Sequence, residues 1–266
     1  MSTLINRLQM MFRRSLLRRG FYALTGVLIV LAIALSSQLS TAQSPSRVLF
    51  ENVRIFDGTS PELSAPSYVL VEDNKIQAIS DEPIAVTAVG DLTVIDGTGR
   101  TLMPGLSDAH WHNNLAIADL SKVLDPAITD DEAGAIVRDY SKTTAEGALM
   151  RGFTSVRDMG GNVFWLKKAI DAGELVGPRI WPSGAMIAQT SGHFDYGSIE
   201  DIPITANTPL SRTEKLGIAI VANGVPEVLL RVRENLKQGA SQIKIATGGG
   251  VSSNFDPVDV TQFTED

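Results

Sequence analysis

The chain has 266 residues, 44% of them hydrophobic and 20% charged, with 23 glycines, 12 prolines and no cysteine. That composition is globular, not collagen-like or low-complexity, and the missing thiols exclude disulfides, thiolate zinc sites and cysteine nucleophiles. The net charge of −7 is unevenly spread: residues 1–42 hold five arginines and no acid, which leaves 18 bases against 30 acids, a net −12, on the rest. An anionic body of this kind is a poor partner for nucleic acid.

Behind the arginines lies Phe21–Ser36, an uncharged and mostly apolar run, followed by a polar stretch that ends in Ser40-Thr41-Ala42. A basic start, an apolar middle and a small-residue exit form the three-part pattern of an export signal, with cleavage expected after Ala42. The expected destination is periplasmic or extracellular. The apolar run is shorter than the roughly 20 residues of a spanning helix, and an uncleaved membrane anchor is the alternative. Arg18-Arg19-Gly20-Phe21 resembles a twin-arginine signal but is preceded by Leu17 instead of the usual Ser or Thr.

Residues 43–99 form the next expected domain, a small β unit. VLFENVRIFDG, SYVLVEDNKIQAI and LTVIDGTG are β-rich segments punctuated by Asp57-Gly58, Asp73-Asn74 and Asp96-Gly97, which predicts hairpins and a small sheet. From residue 100 to 266 strands alternate with helices, the rhythm of a parallel α/β sheet. The reading places strands at 101–112, 152–160, 178–187 and 241–249, with helices near 130–150, 162–173 and 226–238. A connection of about thirty-five residues precedes the last helix, and another helix is expected to begin at Thr264-Glu265-Asp266. Pro226 suits a first helical turn, Val228, Leu229, Val232 and Leu236 form a stripe, and Gly239 suits the helix end.

Two of the three histidines, His110 and His112, are spaced H-x-H at the end of the first strand of this region. Strand alternation puts Asp108, His110 and His112 on one face and Ala109 and Trp111 on the other. Paired imidazoles can converge on one divalent ion, with Asp108 as an orienting carboxylate; a pair of surface histidines is the plainer reading. Lys244 shares a strand face with Gln242 and Ala246, opposite Ile243 and Ile245. An inward ammonium there is costly unless paired or chemically changed, so a structural ion pair and a CO2-derived carbamate both stand. Arg157 and Asp158 end the second strand on opposite faces; Arg157 suits a substrate carboxylate, or the two form an ion pair at the rim. Gly248-Gly249-Gly250 lacks the Lys-Ser/Thr of a phosphate loop and reads as close backbone packing near the site.

DGTGRTLMPGLSDAHWH resembles the entry strand of the metal-dependent amidohydrolase superfamily, with its Pro-Gly-x-x-Asp-x-His-x-His signature. GFTSVRDMGG, GPRIWPSG and QIKIATGGGVSS are similar to successive strands of its imidazolonepropionase-like and Xaa-Pro or Xaa-Arg dipeptidase-like branch. The resemblance covers about residues 47–266. It implies a (β/α)8 barrel beside a small β-sandwich, with His110 and His112 on the more buried of two divalent metals, zinc foremost, and Lys244 as a bridging carbamate. It further implies a metal-activated hydroxide attacking a carbonyl carbon, hence hydrolysis of amide, peptide or cyclic amide C–N bonds. His193, in Thr-Ser-Gly-His-Phe-Asp, resembles the branch's Gly-Gly-His-x-Asp loop and is expected at the substrate. An exported enzyme of this branch is expected to take dipeptides or short peptides.

The same resemblance puts two more histidine ligands on strands five and six and a general-base aspartate on strand eight, beyond the four strands counted here. Once 1–42 and the β unit are set aside, about 165 residues remain for a barrel of roughly 250. The expectation is therefore the N-terminal part of a barrel and an incomplete enzyme; an inactive remnant and an exported metal-binding protein are the alternatives.

Overall fold

The computed structural model describes residues 46–86, 91–116, 120–205, 207–251 and 255–264. The expected export signal over 1–42 and most of the helix start at Thr264-Glu265-Asp266 lie outside the described residues. The chain divides into two compact units, Met1–Met103 and Pro104–Asp266.

In the first unit β1 (Arg47–Ile55), β2 (Ser67–Glu72), β3 (Lys75–Ser80) and β4 (Leu92–Asp96) form a sheet in the order β3-β2-β1-β4, and β5 (Thr101–Leu102) also pairs with β1. Asp73-Asn74 makes the tight connection of an antiparallel hairpin, with Asp73 at a φ of 52°. Asp96-Gly97 does not: β4 and β5 both run parallel to β1, so the pair marks a passage along one neighbour instead of a reversal. Leu49, Val53, Val69 and Leu70 are the buried apolar residues of this sheet.

The strand expected over 101–112 is two strands in two units, β5 and β6 (Leu106–Trp111), divided at Met103–Gly105. Pro104 has no N–H for a ladder, and a side chain at Gly105 would strike Thr154. In the second unit β6, β7 (Phe153–Asp158) and β8 (Arg179–Pro182) form a parallel sheet. Between them lie α1 (Leu120–Leu124), α2 (Asp130–Met150) and α3 (Phe164–Asp171). Ala145 of α2 and Leu166 of α3 pack with Val156 and Ile180 of the sheet, and Trp111 leans on the same cluster.

The expected third strand, 178–187, is broken into β8 and β9 (Met186–Ala188), with Gly184 between them at a φ of 76°. The connection before the last helix is not featureless: it contains α4 (Arg212–Lys215) and β10 (Ala219–Val221), and β10 runs parallel to β9. Arg212 earns this segment its place by bonding Asp130 and the carbonyls of Val123, Asp125 and Ile128, which ties α4 to the start of α2.

α5 (Val225–Gln238) begins with Pro226 in its first turn and ends at Gly239, whose φ is 104°. Only part of its expected stripe is covered. Val228 and Val232 pack against Ile187, Ile220 and Ala222, whereas Leu229 and Leu236 are exposed, and the buried position is Asn235, bonded to both backbone groups of Ala185. The expected last strand, 241–249, forms no continuous ladder among the described residues and has two isolated bridges, Ile187 to Ile245 and Gly248 to Thr261. It still runs beside β8 and β9: Ser241 donates to Pro182 O at 2.8 Å, Ile187 to Lys244 O at 3.0 Å, and Ala246 to Ile187 O at 3.0 Å. Glycines at 248–250 deprive its end of β-forming side chains.

Candidate active site

The His-x-His pair stands at the C-terminal end of β6. The two rings lie 5.0 Å apart between centroids, and His110 Nε2 is 3.1 Å from His112 Nε2. His110 is exposed and His112 half-buried, with its Nδ1 enclosed and lacking a hydrogen-bond partner. Burial, then the neighbouring His110 and then Lys244, bring the His112 pKa down to about 4, and the Asp108 carboxylate opposes this weakly. His112 is therefore neutral near pH 7, which is the ligating form of imidazole.

The residues fit a divalent cation. Two zinc–nitrogen bonds of about 2.0–2.1 Å at a tetrahedral angle span about 3.3 Å, close to the 3.1 Å separation of the two Nε2 atoms. No third His, Cys, Asp or Glu joins them among the described residues. The nearby charged group is Lys244, whose ammonium is felt at His112 and whose own pKa is lowered by burial.

The alternation at Lys244 is also visible. Ala246 packs with Met186, Ala188 and Phe194, and the Lys244 Nζ sits 5.8 Å over the Phe194 ring, while Ile243 packs on the other side with Ile187. His193 enters through the same phenylalanine, its ring 4.1 Å from that of Phe194. His193 and Lys244 thus flank one buried aromatic side chain. A side chain at Gly250 would run into the His193 imidazole, so the triple glycine allows close packing at the site.

The loop that carries His193 is strained. Ser191 and Phe194 have φ values of 60° and 87°, in the region that favours glycine, so the serine occupies a position where glycine would be natural. Asp195 braces the loop by accepting from Ser191 N and Gly197 N, and Ser191 Oγ donates to Phe255 O. A cleft of about 750 Å³ opens beside this loop, lined by Ser191, Asp195, Leu210, Arg231 and Phe255 among others. None of His110, His112, Lys244 or His193 lines it, so it is separate from the histidine pair.

Asp108 and Arg157 are placed differently from the simplest strand picture. The β6–β7 register slips between Asp108/Val156 and Trp111/Asp158, so one residue interrupts the alternation beside the histidines. Asp108 Oδ1 accepts from the backbone N–H of His110 at 2.9 Å. Its hydrogen bond therefore shapes the strand that carries the ring. Arg157 makes no ion pair with Asp158: its Nε donates to Ala109 O at 2.7 Å, while Asp158 accepts from Asn113 N and Gly160 N. Arg157 is exposed and Asp158 buried, as opposite strand faces require.

Sequence reasoning missed the polar layer behind the pair. Asn113 and Asn114 are fully buried; Asn113 Nδ2 donates to Ser141 O, and Ser141 Oγ donates to Asn114 Oδ1. Burial raises the Asp158 pKa to about 7 against the pull of its two backbone N–H donors. The available signal was two asparagines directly after a strand-end histidine, where a loop has no other way to satisfy its backbone.

Known proteins are similar to this chain in fold and sequence. A solved prolidase in complex with N-methylphosphonate-L-proline superimposes with a TM-score of 0.69 at 33% identity, over 83% of this chain and 51% of that one. A Xaa-Pro dipeptidase with methionine in its active site gives 0.60 at 30% identity, over 82% and 51%. Ochratoxinase from Aspergillus niger is 34% identical over 172 residues, which are 61% of this chain and 34% of that protein. The chain spans about half the length of the solved structures and about a third of the curated relative. The fold is accordingly α/β, with β6 to β9 and the 241–246 segment forming part of a (β/α)8 barrel. The amidohydrolase family pattern matches residues 101–266, from the strand that leads into the histidine pair through Lys244 and its glycines, and the chain belongs to that family.

Proposed function

We propose that the protein is a metal-dependent hydrolase of C–N bonds in small amides or dipeptides. The observation that carries this reading is the imidazole pair with Nε2 atoms 3.1 Å apart at a parallel strand end, with Lys244 within electrostatic reach. His110 and His112 would hold one divalent metal, zinc by the nitrogen chemistry of the pair, and Lys244, once converted to a carbamate, would serve a second. Such ions supply Lewis acidity toward a carbonyl oxygen and toward water.

The chain's own residues do the rest. Asp108 holds the β6 backbone in the kink that aims His110. Burial lowers the Lys244 pKa, which favours the uncharged amine that CO2 can modify. His193, on its braced loop, is placed to contact substrate, and Arg157, exposed beside β6, can receive a substrate carboxylate through the guanidinium nitrogens not used on Ala109. The prolidase and Xaa-Pro dipeptidase likeness favours dipeptides, whereas the ochratoxinase likeness favours an ochratoxin-like substrate. The basic and apolar pattern of residues 1–42 supports export as the setting.

The test is metal content and hydrolysis in the whole protein, with Xaa-Pro dipeptides and ochratoxin as substrates. Bound zinc and chelator-sensitive turnover are expected, both lost in His110→Ala and Lys244→Ala. Full turnover in either variant would overturn the reading.

A further inference from the structure

One buried carboxylate has no part in the proposed chemistry. Asp158 ends β7 fully enclosed, and among the described residues no cation pairs with it. Enclosing a carboxylate in this way is unfavourable, and a strand end needs only its main chain to stay in a ladder. The contacts of Asp158 run to every segment that carries a candidate metal-facing group. Its Oδ2 accepts the N–H of Asn113, the residue after His112, at 2.9 Å, and its Oδ1 accepts that of Gly160 at 3.1 Å. Its main-chain carbonyl accepts from Ser183 N at 3.0 Å and from Gln242 Nε2 at 3.1 Å. Gln242 stands two residues before Lys244 and also donates to Trp181 O at 2.8 Å.

The register agrees with this convergence. Asp158 lies opposite Trp111 on one side and Pro182 on the other. Next to Trp111 the β6–β7 ladder slips by one residue, so backbone pairing alone leaves the level of His112 loosely specified. A carboxylate that grips Asn113 N removes that freedom. The glutamine performs the matching task for the chain leading to Lys244, which has only isolated bridges and no continuous ladder.

We infer that Asp158 and Gln242 are a pair of positioning residues that fix His112 relative to Lys244. The inference rests on the proposed role of those two residues, but its first readout does not require metal. The experiment uses the full chain uniformly labelled with 15N and compares wild type, Asp158→Asn and Gln242→Ala. Asparagine keeps the size and one acceptor of the carboxylate while presenting an amide N–H to a backbone N–H. In the metal-free protein, Asp158→Asn is expected to shift the His112 ring resonances and the Asn113 amide, while the amides of residues 47–102 stay in place. Cobalt(II) titration well below the melting temperature is expected to show affinity about ten-fold weaker in both variants, the range for residues that orient ligands from behind.

A lower melting temperature with unmoved His112 resonances and unchanged cobalt affinity would mean a purely structural role and would overturn the inference. If Asp158→Asn fails to fold, Gln242→Ala carries the same comparison. Wild type that binds no cobalt, or binding that survives His110→Ala with His112→Ala, would remove the metal reading; the ring shifts would then decide the positioning role by themselves.

Discussion

His112 and Asn113 are neighbours in the chain and opposites in environment. The histidine Nδ1 is enclosed without a partner, its ring faces a second imidazole, and Lys244 adds repulsion to any proton it takes up. The asparagine is fully buried, with its backbone N–H bonded to Asp158 and its Nδ2 to Ser141 O. The same division continues outward. Lys244 is held at an ammonium-unfriendly position over an aromatic face, while Gln242, two residues earlier, bonds two carbonyls. The two Nε2 atoms have only each other, and Lys244 only an aromatic face, whereas the groups one step behind bond backbone and side chains, Asn113 Oδ1 and Asn114 Nδ2 excepted. A metal or substrate can engage the Nε2 atoms and Lys244 but not the enclosed layer, so the two sides should respond differently to mutation.

The largest difference is expected at Lys244. Lys244→Ala should lower kcat/KM of the whole enzyme by at least about 100-fold, roughly 2.7 kcal/mol of transition-state stabilisation. In the metal-free protein its thermal midpoint should hold or rise, because a partly buried cation contributes little to folding. A coupled loss of stability would erase the distinction between the two sides. Asn113→Ala should, by contrast, lose stability in the metal-free protein. It removes the donor to Ser141 O inside a fully buried loop and should cost about 1–3 kcal/mol in denaturant unfolding.

A smaller and graded effect is expected from pH. The folded Asp158 pKa is raised to about 7 from an ordinary value near 3.8, so the native state binds more protons than the unfolded chain between those limits. Stability of the metal-free protein should therefore fall as pH rises from about 4 to about 7, by at most about 1.4 kcal/mol per unit, and level off above. Asp158→Asn should flatten that slope. An equal slope in the variant would show that the two backbone N–H donors already keep the carboxylate ionised.

What the sequence made legible follows the same line. The H-x-H spacing and the alternation at Gln242, Ile243 and Lys244 report local geometry, and the structure brings those side chains into one neighbourhood. The helix expected near 130–150 is α2, Asp130–Met150, closed by a Thr129 capping box that the sequence reading did not use and followed by Gly152 at a φ of 94°. The strand at 178–187 was misread as continuous because Gly184 reads as an ordinary small residue until its φ of 76° is known. β10 was missed because three residues, Ala219–Val221, are too short for an alternating pattern and owe their strand to β9. Of the two readings of Arg157 and Asp158, a substrate-facing arginine or a rim ion pair, the ion pair is not formed: Arg157 bonds Ala109 O, and Asp158 accepts from Asn113 N and Gly160 N. Contacts of that kind carry no signature in residue type.

The smallest effect separates distance from burial as the source of the division. Thr129 caps α2 in a closed box: its hydroxyl accepts from Glu132 N, and its own N–H and hydroxyl both reach Glu132 Oε2, at 2.8 and 2.9 Å. Thr129→Ala removes the cap and should cost about 1 kcal/mol by denaturant unfolding. Ser141 lies three turns further along the same helix and holds both asparagines behind the histidines. Fraying after loss of a cap is confined to the first turn or so, since the interior of α2 is fixed by buried Val137, Ala145 and Ala148. Metal affinity should therefore stay within about two-fold of wild type, whereas Asn113→Ala, acting on the same helix at Ser141, should change it. If Thr129→Ala weakened metal binding as strongly, the helix would be transmitting its stability to the histidines as one rigid body, and the bonded layer would owe its influence to α2 as a whole instead of to its own hydrogen bonds.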